Sequence, residues 1–355
     1  AKYAAITGWG KCVPPAIFTN DEIATVIDTS DEWIRTRSGI SERRVSHVPG
    51  SDLATVAGQR ALAAADADPE DVDLLIVATC TPDTVIPSTA AHVQRKIGAP
   101  NSAVFDLNAG CSGFIYSLEV ATAMIRSGNY KKVLIIGCER ITWFFNWSNR
   151  DTAVLFGDGA GAVVVEPSDK QSGLLYSHLG CEGEAADALH VPNFGTAGDR
   201  CIENYAAFDV NFDGREIFRR AVKGMTLETE IVLNKLGLSQ TDIDRIIPHQ
   251  ANLRIIESLA KHLSVDMSKV EVNIDKYGNT SAATIPVALV EALEAGRINP
   301  GDNILLAAFG AGLTRAAGLL RWGDRVTPLK QSDAELPPCE KTALELVGDS
   351  IKLTL

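Results

Sequence analysis

Hydrophobic and polar positions along the chain follow two different periods. Short runs of consecutive apolar residues, such as LLIVA within EDVDLLIVATCTPD, are typical of buried strands. Between these runs, apolar residues recur at spacings of three and four, as in PSTAAHVQRKIG, and this period predicts helices with one buried face. Strands and helices that alternate in this way predict an α/β fold with mostly parallel sheets.

The order of these elements occurs twice along the chain. The segment at 70–83 corresponds to TDIDRIIPHQAN at 241–252, and each is followed by a helical pattern and by a strand-like stretch, AVFDLNAG in the first copy and VEVNIDKYG in the second. A second buried strand comes later in each copy, KKVLIIG and DNILLAAFG. Two copies of so long a unit predict two similar halves, at about 1–170 and 171–322, and not a solenoid. If the halves pack about a pseudo-twofold axis, their equivalent turns face each other.

The turn after AVFDL contains Cys111, at the point where a helical pattern begins. In LNAGCSGFIYSLEVATAMI, Gly110 and Gly113 give the backbone freedom, and apolar positions from Ile115 to Ile125 recur at helical spacings. The unpaired N–H groups and the positive end of the dipole at a helix N-terminus favour a thiolate over a thiol. Cys111 is therefore a candidate nucleophile. The alternative is a small buried cysteine, because free cysteine is among the most buried residue types.

Two further polar residues occupy related positions. Asn279 lies at the turn of the second half that corresponds to the turn of Cys111, and His249 directly follows the buried strand DRIIP. Open α/β sheets gather their ligands at the carboxyl ends of strands. A lone histidine is more often a surface or core residue, but the remaining histidines lie in no comparable group. Cysteine, histidine and asparagine at equivalent strand ends therefore predict one site.

Composition narrows the class of protein. The chain has 355 residues, of which 46% are hydrophobic, enough for a large core. Its 7 cysteines are odd in number and form no CxxC pair, which indicates reduced thiols in the cytoplasm, and no cysteine or histidine spacing predicts a metal site. The net charge of −12 disfavours nucleic acid as a partner. We recognise no signal peptide and no run of about 20 apolar residues, so we expect no association with a membrane.

Six motifs together resemble those of the 3-oxoacyl-[acyl-carrier-protein] synthase III family, within the thiolase-like superfamily. They are TSDEWIRTRSGI (29–40), NAGCSGF (108–114), LFGDGAGAVVV (155–165), PHQANLRII (248–256), KYGNTSAATIP (276–286) and AAFGAGLTRAAG (307–318). The motifs follow the family's order, and PHQANLR with GNTSAA is highly specific, whereas GDGAGA alone would indicate only a tight turn. The resemblance implies a thiolase-like fold, in which two α/β halves related by a pseudo-twofold axis form α/β/α/β/α layers.

The resemblance also implies a decarboxylating condensation that uses no cofactor and no metal. In the family's reaction, Cys111 would take an acyl group from an acyl-CoA, and malonyl-[acyl-carrier protein] would then bind. His249 and Asn279 would donate hydrogen bonds to its carbonyl oxygen while CO₂ leaves, a step that needs donors and no general base. The backbone N–H groups of Cys111 and Ala311 would form the oxyanion hole, although Gly310-Ala311-Gly312 here replaces the three glycines common in the family.

Substrate-binding residues are implied by the same resemblance. Trp33 is expected to stack on one face of the adenine of coenzyme A, and Arg150 on the other face of the adenine. Without the resemblance, Trp33 would be interpreted as a core residue on the buried face of a helix. The residues expected to bind coenzyme A are Trp33, Arg37, Arg150 and Arg215. Those expected to contact the acyl carrier protein are Gln250, Ala251, Asn252, Leu253, Arg254, Arg219 and Lys261. A basic rim on an acidic protein would be formed by Arg215, Arg219, Arg220, Lys223, Arg254 and Lys261. The alternative is that these side chains form only a solvated face.

Ile86 stands where the family places a residue that crosses a homodimer interface and closes the partner's acyl tunnel. Because isoleucine is intermediate in volume and stiff at χ1, we expect acetyl to medium-chain primers and an obligate homodimer. The tail at 323–355 extends past the family's usual end, with a Pro-Pro break and then a helical pattern from Glu340. Its function cannot be read from the sequence.

Two other classes of function stay open at this point. The first alternative is a cysteine hydrolase with a papain-like mechanism, which also uses Cys, His and Asn in this chain order. However, the chain lacks the local sequence that surrounds a papain-like nucleophile. A thiolase-fold acyltransferase or scaffold that has lost condensation is the second alternative. Such relatives commonly alter the nucleophile or its partners, whereas all three residues are present here.

Overall fold

The computed structural model describes residues 2–143, 145–192, 194–196 and 210–354. Its strands are β1 (Tyr3–Cys12), β2 (Ala16–Thr19), β3 (Glu42–Val45), β4 (Leu74–Ala78), β5 (Ala103–Leu107), β6 (Val133–Glu139), β7 (Gly159–Ser168), β8 (Gly173–Cys181), β9 (Leu189–His190), β10 (Asn211–Phe212), β11 (Arg245–Pro248), β12 (Asn303–Gly310) and β13 (Thr314–Arg321). Its α-helices are α1 (Asn20–Ala24), α2 (Asp31–Ser38), α3 (Gly50–Ala65), α4 (Thr89–Ile97), α5 (Gly113–Arg126), α6 (Arg150–Ala153), α7 (Gly214–Leu236), α8 (Leu253–His262), α9 (Ile274–Tyr277), α10 (Thr284–Glu294) and α11 (Ala343–Thr354).

One mixed sheet of nine strands contains the same pairing pattern twice. Its order is β11-β12-β13-β8-β1-β7-β6-β4-β5. In the first half, β1 is antiparallel to β7, β7 is antiparallel to β6, and β6 is parallel to β4. In the second half, β8 is antiparallel to β13, β13 is antiparallel to β12, and β12 is parallel to β11. This repetition confirms the predicted pair of similar halves, which join where Ala4 of β1 pairs with Gly173 of β8.

Helices cover the two halves in three layers. Helices α5 and α10 lie between the halves, in a central core that strands of both halves share. Helices α3 and α4 pack on the outer face of the first half, and α7 and α8 pack on that of the second. Alternate residues of β4 face different cores, since Ile76 lies in the central core and Leu75 in the outer one. Burial on both faces explains why these strands read as continuous apolar runs. The α/β/α/β/α layers are those that the family resemblance implied, whereas the sheet is mixed and not mostly parallel as the alternation of elements predicted.

One predicted strand is largely absent from the second half. The stretch VEVNIDKYG, the counterpart of β5, pairs with β11 only through the bridge between Ile246 and Val270, and then forms the short helix α9. In place of further backbone pairing, the side chain of Gln250 hydrogen-bonds to this stretch. Its Nε2 donates to the carbonyl oxygen of Glu271 (3.0 Å), and its Oε1 accepts from the backbone N–H of Asn273 (3.0 Å).

The tail after β13 runs back over the first half. The backbone N–H of Leu329 donates to Ala64 O (3.0 Å) at the end of α3, and Arg60 on the same helix donates to Ala334 O (2.9 Å). Helix α11 then buries Ala343, Val347 and Ile351 against a core, named here the α2 core, that also contains Phe18, Ile34, Val45 and Trp147. The tail is thus packed onto the first half, while the domain limits at residues 170 and 322 stay predictions.

Candidate active site

Cys111 lies in a tight turn between β5 and α5. Gly110 has a φ of 54°, in the left-handed region that favours glycine, and Ser112 N donates to Ala109 O (3.2 Å) across the turn. Helix α5 begins two residues later, at Gly113. The sequence therefore predicted correctly that Cys111 precedes a helix N-terminus.

The turn of Gly310 and Ala311, from the second half, packs directly against Cys111. A β-carbon built on Gly310 would lie 2.5 Å from the backbone nitrogen of Cys111, and one built on Gly110 would lie 3.0 Å from that of Ala311. Side chains at these two positions would collide with backbone, so glycine brings the two turns into contact. Ala311 itself lies outside the left-handed region, and its methyl group is accommodated. The two backbone N–H groups expected to form an oxyanion hole are thus carried by adjoining turns.

His249 and Asn279 reach the same place from the second half. The backbone N–H of His249 donates to Ala307 O (2.8 Å), which continues the pairing of β11 with β12. The backbone N–H of Asn279 donates to Leu155 O (2.9 Å) from the first half. Both side chains are buried, and both line one cavity together with Cys111. The structure therefore brings together the three residues that the sequence pattern indicated as one site.

Burial sets the charge state of His249. It lowers the pKa of the imidazole to about 3, so that the ring is neutral at physiological pH. Its Nδ1 lies 2.6 Å from Oγ1 of Thr284, the first residue of α10. A neutral imidazole has one N–H group, and a Thr284 hydroxyl that donates to Nδ1 leaves this N–H on Nε2. That tautomer offers a donor to the cavity.

Burial also decides the state of the Cys111 thiol, and here the sequence-based expectation was wrong. Desolvation raises the pKa of Cys111 to about 11, although the neighbouring Ser281 hydroxyl acts to lower it. The expected preference for a thiolate at the helix N-terminus is therefore outweighed by the cost of burying a charge. The free protein holds Cys111 as a thiol at neutral pH, so a proton has to leave when the sulfur reacts.

The cavity has a volume of about 1320 Å³ and connects the three residues with the surface. Its lining includes most of the residues expected to bind coenzyme A or the carrier protein, namely Trp33, Arg37, Arg215, Ala251, Asn252 and Arg254. The guanidinium groups of Arg37 and Arg150 lie 4.5 and 4.6 Å from the ring centroid of Trp33. A cationic, aromatic platform therefore stands at the opening.

The structure does not place all of the expected docking residues at the surface. Gln250 is 1% exposed, and its amide bonds to backbone inside the protein, so this side chain cannot contact a carrier protein. Leu253 is half-buried in the α2 core. Arg219 is exposed but pairs with Glu216 (2.8 Å), and Arg220 pairs with Glu216 as well. The predicted basic rim is thus partly neutralised within α7.

The other docking residues are accessible. Arg254, Lys223 and Lys261 are exposed, and Asn252 is half-buried at the N-terminus of α8. Asn252 Nδ2 donates to Arg37 O (2.9 Å), and Arg254 donates to Thr36 O (2.8 Å). These bonds tie the start of α8 to α2, beside the mouth of the cavity.

Ile86 lies far out on the surface of the protomer. It is 87% exposed, in the loop between β4 and α4, and its neighbour Val85 is 83% exposed. Ile86 does not line the cavity of its own chain. A role in an acyl tunnel therefore requires a second chain.

Three buried polar residues beside the site were not singled out from the sequence. Ser281 and Thr284 belong to the GNTSAAT motif that supplies Asn279, and Glu139 ends the buried strand β6. Serine and threonine are common in such turns, so their positions alone give no signal. An acidic residue directly after the apolar run VLIIGC was a usable signal, because buried carboxylates need partners.

No metal or membrane feature is found in the ranges that the structure describes. There, no group of three or more His, Cys, Asp and Glu side chains is arranged to hold a metal ion, and no helix is long and apolar enough to cross a membrane. Within the same ranges every cysteine is free. Cys201 falls outside them.

Two family models match the chain. The model for 3-oxoacyl-[acyl-carrier-protein (ACP)] synthase III matches residues 105–183, and the model for the C-terminal part of that family matches residues 233–322. The matched ranges contain Cys111 in the first case and both His249 and Asn279 in the second.

Whole proteins are similar over nearly the full length. The chain is 56% identical to beta-ketoacyl-[acyl-carrier-protein] synthase III 2 of Vibrio vulnificus (strain YJ016), over 99% of this chain and 97% of that protein. It is 50% identical to beta-ketoacyl-[acyl-carrier-protein] synthase III of Roseiflexus castenholzii (strain DSM 13941 / HLO8), over 91% of this chain and 99% of that protein. The crystal structure of 3-oxoacyl-[acyl-carrier-protein] synthase III from Aquifex aeolicus VF5 is similar with a TM-score of 0.85 and 44% identity, over 90% of this chain and 100% of that one. Fold, motifs and identity agree, and the chain belongs to the 3-oxoacyl-[acyl-carrier-protein] synthase III family of acyltransferases.

Proposed function

We propose that the chain condenses the acyl group of an acyl-CoA primer with malonyl-[acyl-carrier protein], with loss of CO₂, and so starts a fatty-acid or related acyl chain. The product is a 3-oxoacyl-[acyl-carrier protein], and the reaction uses no cofactor or metal. One observation carries the proposal. Cys111 from one half and His249 and Asn279 from the other line a single cavity that opens beside Trp33.

Acyl transfer to Cys111 is the first step. The sulfur attacks the thioester carbon of the primer, the bond from that carbon to the sulfur of coenzyme A breaks, and coenzyme A leaves as a thiol with the proton that Cys111 lost. The adjoining turns of Cys111 and Ala311 support a role for their backbone N–H groups as donors to the oxyanion.

Decarboxylation and condensation form the second step. His249 Nε2 and Asn279 Nδ2 donate to the thioester oxygen of the malonyl group, and the bond to its carboxylate breaks to release CO₂. The carbanion attacks the acyl carbon on Cys111, and the carbon–sulfur bond breaks to leave a thiolate, which takes up one proton from solvent and so restores the cysteine. Charge develops on an oxygen that faces two neutral donors, which is the arrangement that this chemistry needs. The neutral state of His249 supports this role and disfavours one as a general acid.

An acidic carrier protein fits the surface beside the cavity mouth. A groove of about 550 Å³ runs along α7 and reaches His262 at the end of α8. Its lining contains apolar Phe218 and Leu227 and charged Arg219, Lys223 and Glu230, so cations outnumber carboxylates there. Arg254 stands at the mouth itself. Because the protein as a whole has a net charge of −12, this local positive charge would attract an acidic partner to this part of the surface in preference to others.

We also infer a homodimer in the cytoplasm. Strand β5 is the last strand of the nine-stranded sheet, and a free strand edge is a ready site for pairing with another chain. Two large apolar side chains, Val85 and Ile86, are almost fully exposed in the protomer. In a dimer, Ile86 of each chain would enter the partner's tunnel. Free cysteines throughout the described ranges are consistent with a reducing compartment.

The geometry disfavours a cysteine hydrolase with a papain-like mechanism. In such an enzyme the asparagine orients the histidine. Here His249 Nδ1 bonds to Thr284 (2.6 Å), and Asn279 Oδ1 accepts from Ser281 N (2.8 Å). Asn279 is thus held as a separate donor. A non-condensing relative is disfavoured because the nucleophile and both donors are in place.

A single assay separates the three functions. The dimeric protein, incubated with acetyl-CoA and malonyl-[acyl-carrier protein], should release CO₂ and form the 3-oxoacyl product in equal amounts, and Cys111→Ala should form none. Acetate without CO₂ would indicate a hydrolase. Binding of both substrates without CO₂ or product would indicate a protein that has lost condensation, and either result would overturn the proposal.

A further inference from the structure

The two turns that carry the proposed oxyanion donors come from opposite halves of the protein. Cys111 follows β5 of the first half, and Ala311 follows β12 of the second. An oxyanion hole works when both N–H groups lie about 2.7–3.1 Å from the same oxygen, so the two turns must be held in register. Close packing at Gly110 and Gly310 sets how near the turns come. Packing alone does not prevent one turn from sliding along the other.

Thr314 is hydrogen-bonded to both turns. It is the first residue of β13 and is 8% exposed. Its backbone N–H donates to Ala311 O, and its side-chain Oγ1 donates to Ala109 O at 2.8 Å. Ala109 belongs to the turn of Cys111, because its carbonyl oxygen also accepts from Ser112 N (3.2 Å). One residue is therefore tied by its backbone to one turn and by its hydroxyl to the other.

The Thr314 hydroxyl has a second partner in the turn of Cys111. Ser112 is fully buried, and its Oγ lies 3.2 Å from Thr314 Oγ1. A hydroxyl has one hydrogen and two lone pairs, so Thr314 can donate to Ala109 O and accept from Ser112 at the same time. Ala109 and Thr314 are 205 residues apart in the chain, and these bonds therefore link the two halves directly beside the nucleophile.

The segment that carries Thr314 is itself held in place. Within the sheet, Thr314 lies opposite Gly310 of β12 and Cys181 of β8. The preceding residue, Leu313, exchanges two backbone hydrogen bonds with Glu182 (2.9 and 3.2 Å). A hydroxyl on a strand that is paired on both sides has little freedom to move, so it can fix the position of the turn to which it donates.

We propose that Thr314 is a positioning residue, which holds the turn of Cys111 against the turn of Ala311 so that their two N–H groups meet one oxyanion. The inference rests on the proposed function, because it assumes that these two groups stabilise the oxyanion. The oxyanion forms twice, when Cys111 attacks the primer and when the carbanion attacks the acyl group on Cys111. Decarboxylation, which lies between these steps, uses His249 and Asn279 instead.

Thr314→Val tests this role, because valine keeps the shape of the side chain and lacks the hydroxyl. Single-turnover acylation of Cys111 by acetyl-CoA should slow about tenfold, a fraction of the 10²–10³-fold cost of losing an oxyanion donor outright. Protein acylated beforehand should still decarboxylate malonyl-[acyl-carrier protein], but attack by the carbanion should slow as well. Part of the carbanion should then take up a proton from solvent and leave as acetyl-[acyl-carrier protein]. The CO₂ released should therefore exceed the 3-oxoacyl product, whereas the wild-type protein should give equal amounts.

The ratio of CO₂ to product separates positioning from a loss of folded protein, because partial unfolding lowers every step together and leaves the ratio at one. Thr314→Ala removes the hydroxyl with fewer atoms to accommodate and should show the same two changes. Thr314→Ser keeps the hydroxyl and should restore both the rate and the ratio. Thr122→Val is the matched control on α5, since Thr122 is 2% exposed and its hydroxyl has no hydrogen-bond partner among the described residues.

Two results would overturn the positioning role of Thr314. One is a wild-type acylation rate with equal amounts of CO₂ and product in Thr314→Val, and the other is a lower rate at an unchanged ratio. Wild-type protein that acetyl-CoA does not acylate, or that releases no CO₂, would instead overturn the proposed function, and the role of Thr314 with it.

Discussion

The backbone N–H of Ser281 donates to Asn279 Oδ1 at 2.8 Å, and this bond fixes which end of the Asn279 amide faces the cavity. The two ends of an amide differ only in their hydrogen-bonding capacity, so a neighbour must orient the group. With Oδ1 occupied by a donor, Nδ2 is the atom that meets the substrate. The same residue, Ser281, thereby orients one donor through its backbone, while its hydroxyl bonds to Glu139 (3.2 Å).

His249→Ala and Asn279→Ala should separate the two half-reactions. Each variant should still acquire an acyl group on Cys111, because acyl transfer uses the sulfur of Cys111 and the backbone donors of the adjoining turns and neither of these two side chains. Decarboxylation should fall about 10²-fold or more, the usual cost of losing one preorganised donor. Acylation is followed by intact mass and decarboxylation by CO₂ release. A folded variant that no longer acylates would show that the missing residue activates the thiol, contrary to the proposed roles.

Decarboxylation should be insensitive to the titration of His249. Because burial lowers the pKa of His249 to about 3, the ring gains a proton only as the pH falls toward that value and is neutral above it. Protein acylated beforehand should therefore decarboxylate malonyl-[acyl-carrier protein] at a nearly constant rate from about pH 5 to 9. An ordinary histidine would give an inflection near pH 6.5. An inflection there that disappears in His249→Gln would contradict the assigned state.

Ile86 should set primer length if the dimer places it in the partner's tunnel. Ile86→Phe should lower kcat/KM for octanoyl-CoA more than for acetyl-CoA, because the added ring collides only with the longer chain. Ile86→Ala should shift the preference toward octanoyl-CoA. Val85→Ala, at the neighbouring exposed position, is the control. Equal losses with both primers, or an active monomer by light scattering, would show that Ile86 does not line the tunnel.

Helix α11 should contribute to stability through one face. Val347 is 3% exposed in the α2 core, and its replacement by alanine should lower the free energy of unfolding by about 1.5–3 kcal/mol, the range for burying such a side chain. Asp349 on the same helix has a side chain that is 98% exposed, and Asp349→Ala should change little. Urea unfolding measures both. Equal, small effects would mean that the helix is not packed as described.

The sequence predicted the parts of the site that depend on chain order and strand period. Cys111 and Asn279 stood out because they occupy equivalent turns of a repeated pattern, and His249 stood out because it ends a buried strand. Continuous apolar runs such as that of β4 indicated burial on both faces. These features depend on the order and type of the backbone elements, and both are visible in the internal repeat and in the spacing of apolar residues.

Features that depend on side-chain burial, or on contacts between residues far apart in the chain, could not be predicted from the sequence. The raised pKa of Cys111 follows from desolvation, which the helix terminus alone does not reveal. Gln250 sits in a motif expected at a docking surface, yet its amide replaces a missing strand partner inside the protein. The hydrogen bond between Glu139 and Ser281 joins positions 142 residues apart, so the order of the residues along the chain does not reveal that the two meet.

Peptide mapping of the acyl adduct is the most direct test of Cys111 as the acyl carrier. After incubation with acetyl-CoA, the acetyl group should be found on Cys111 and on none of the other cysteines, because Cys111 lines the cavity with His249 and Asn279 and lies in one of the two adjoining turns that carry the oxyanion donors. Malonyl-[acyl-carrier protein] should then remove it with an equimolar release of CO₂. An acetyl group on Cys80 or Cys138, or an adduct on Cys111 that malonyl-[acyl-carrier protein] leaves in place, would contradict the mechanism.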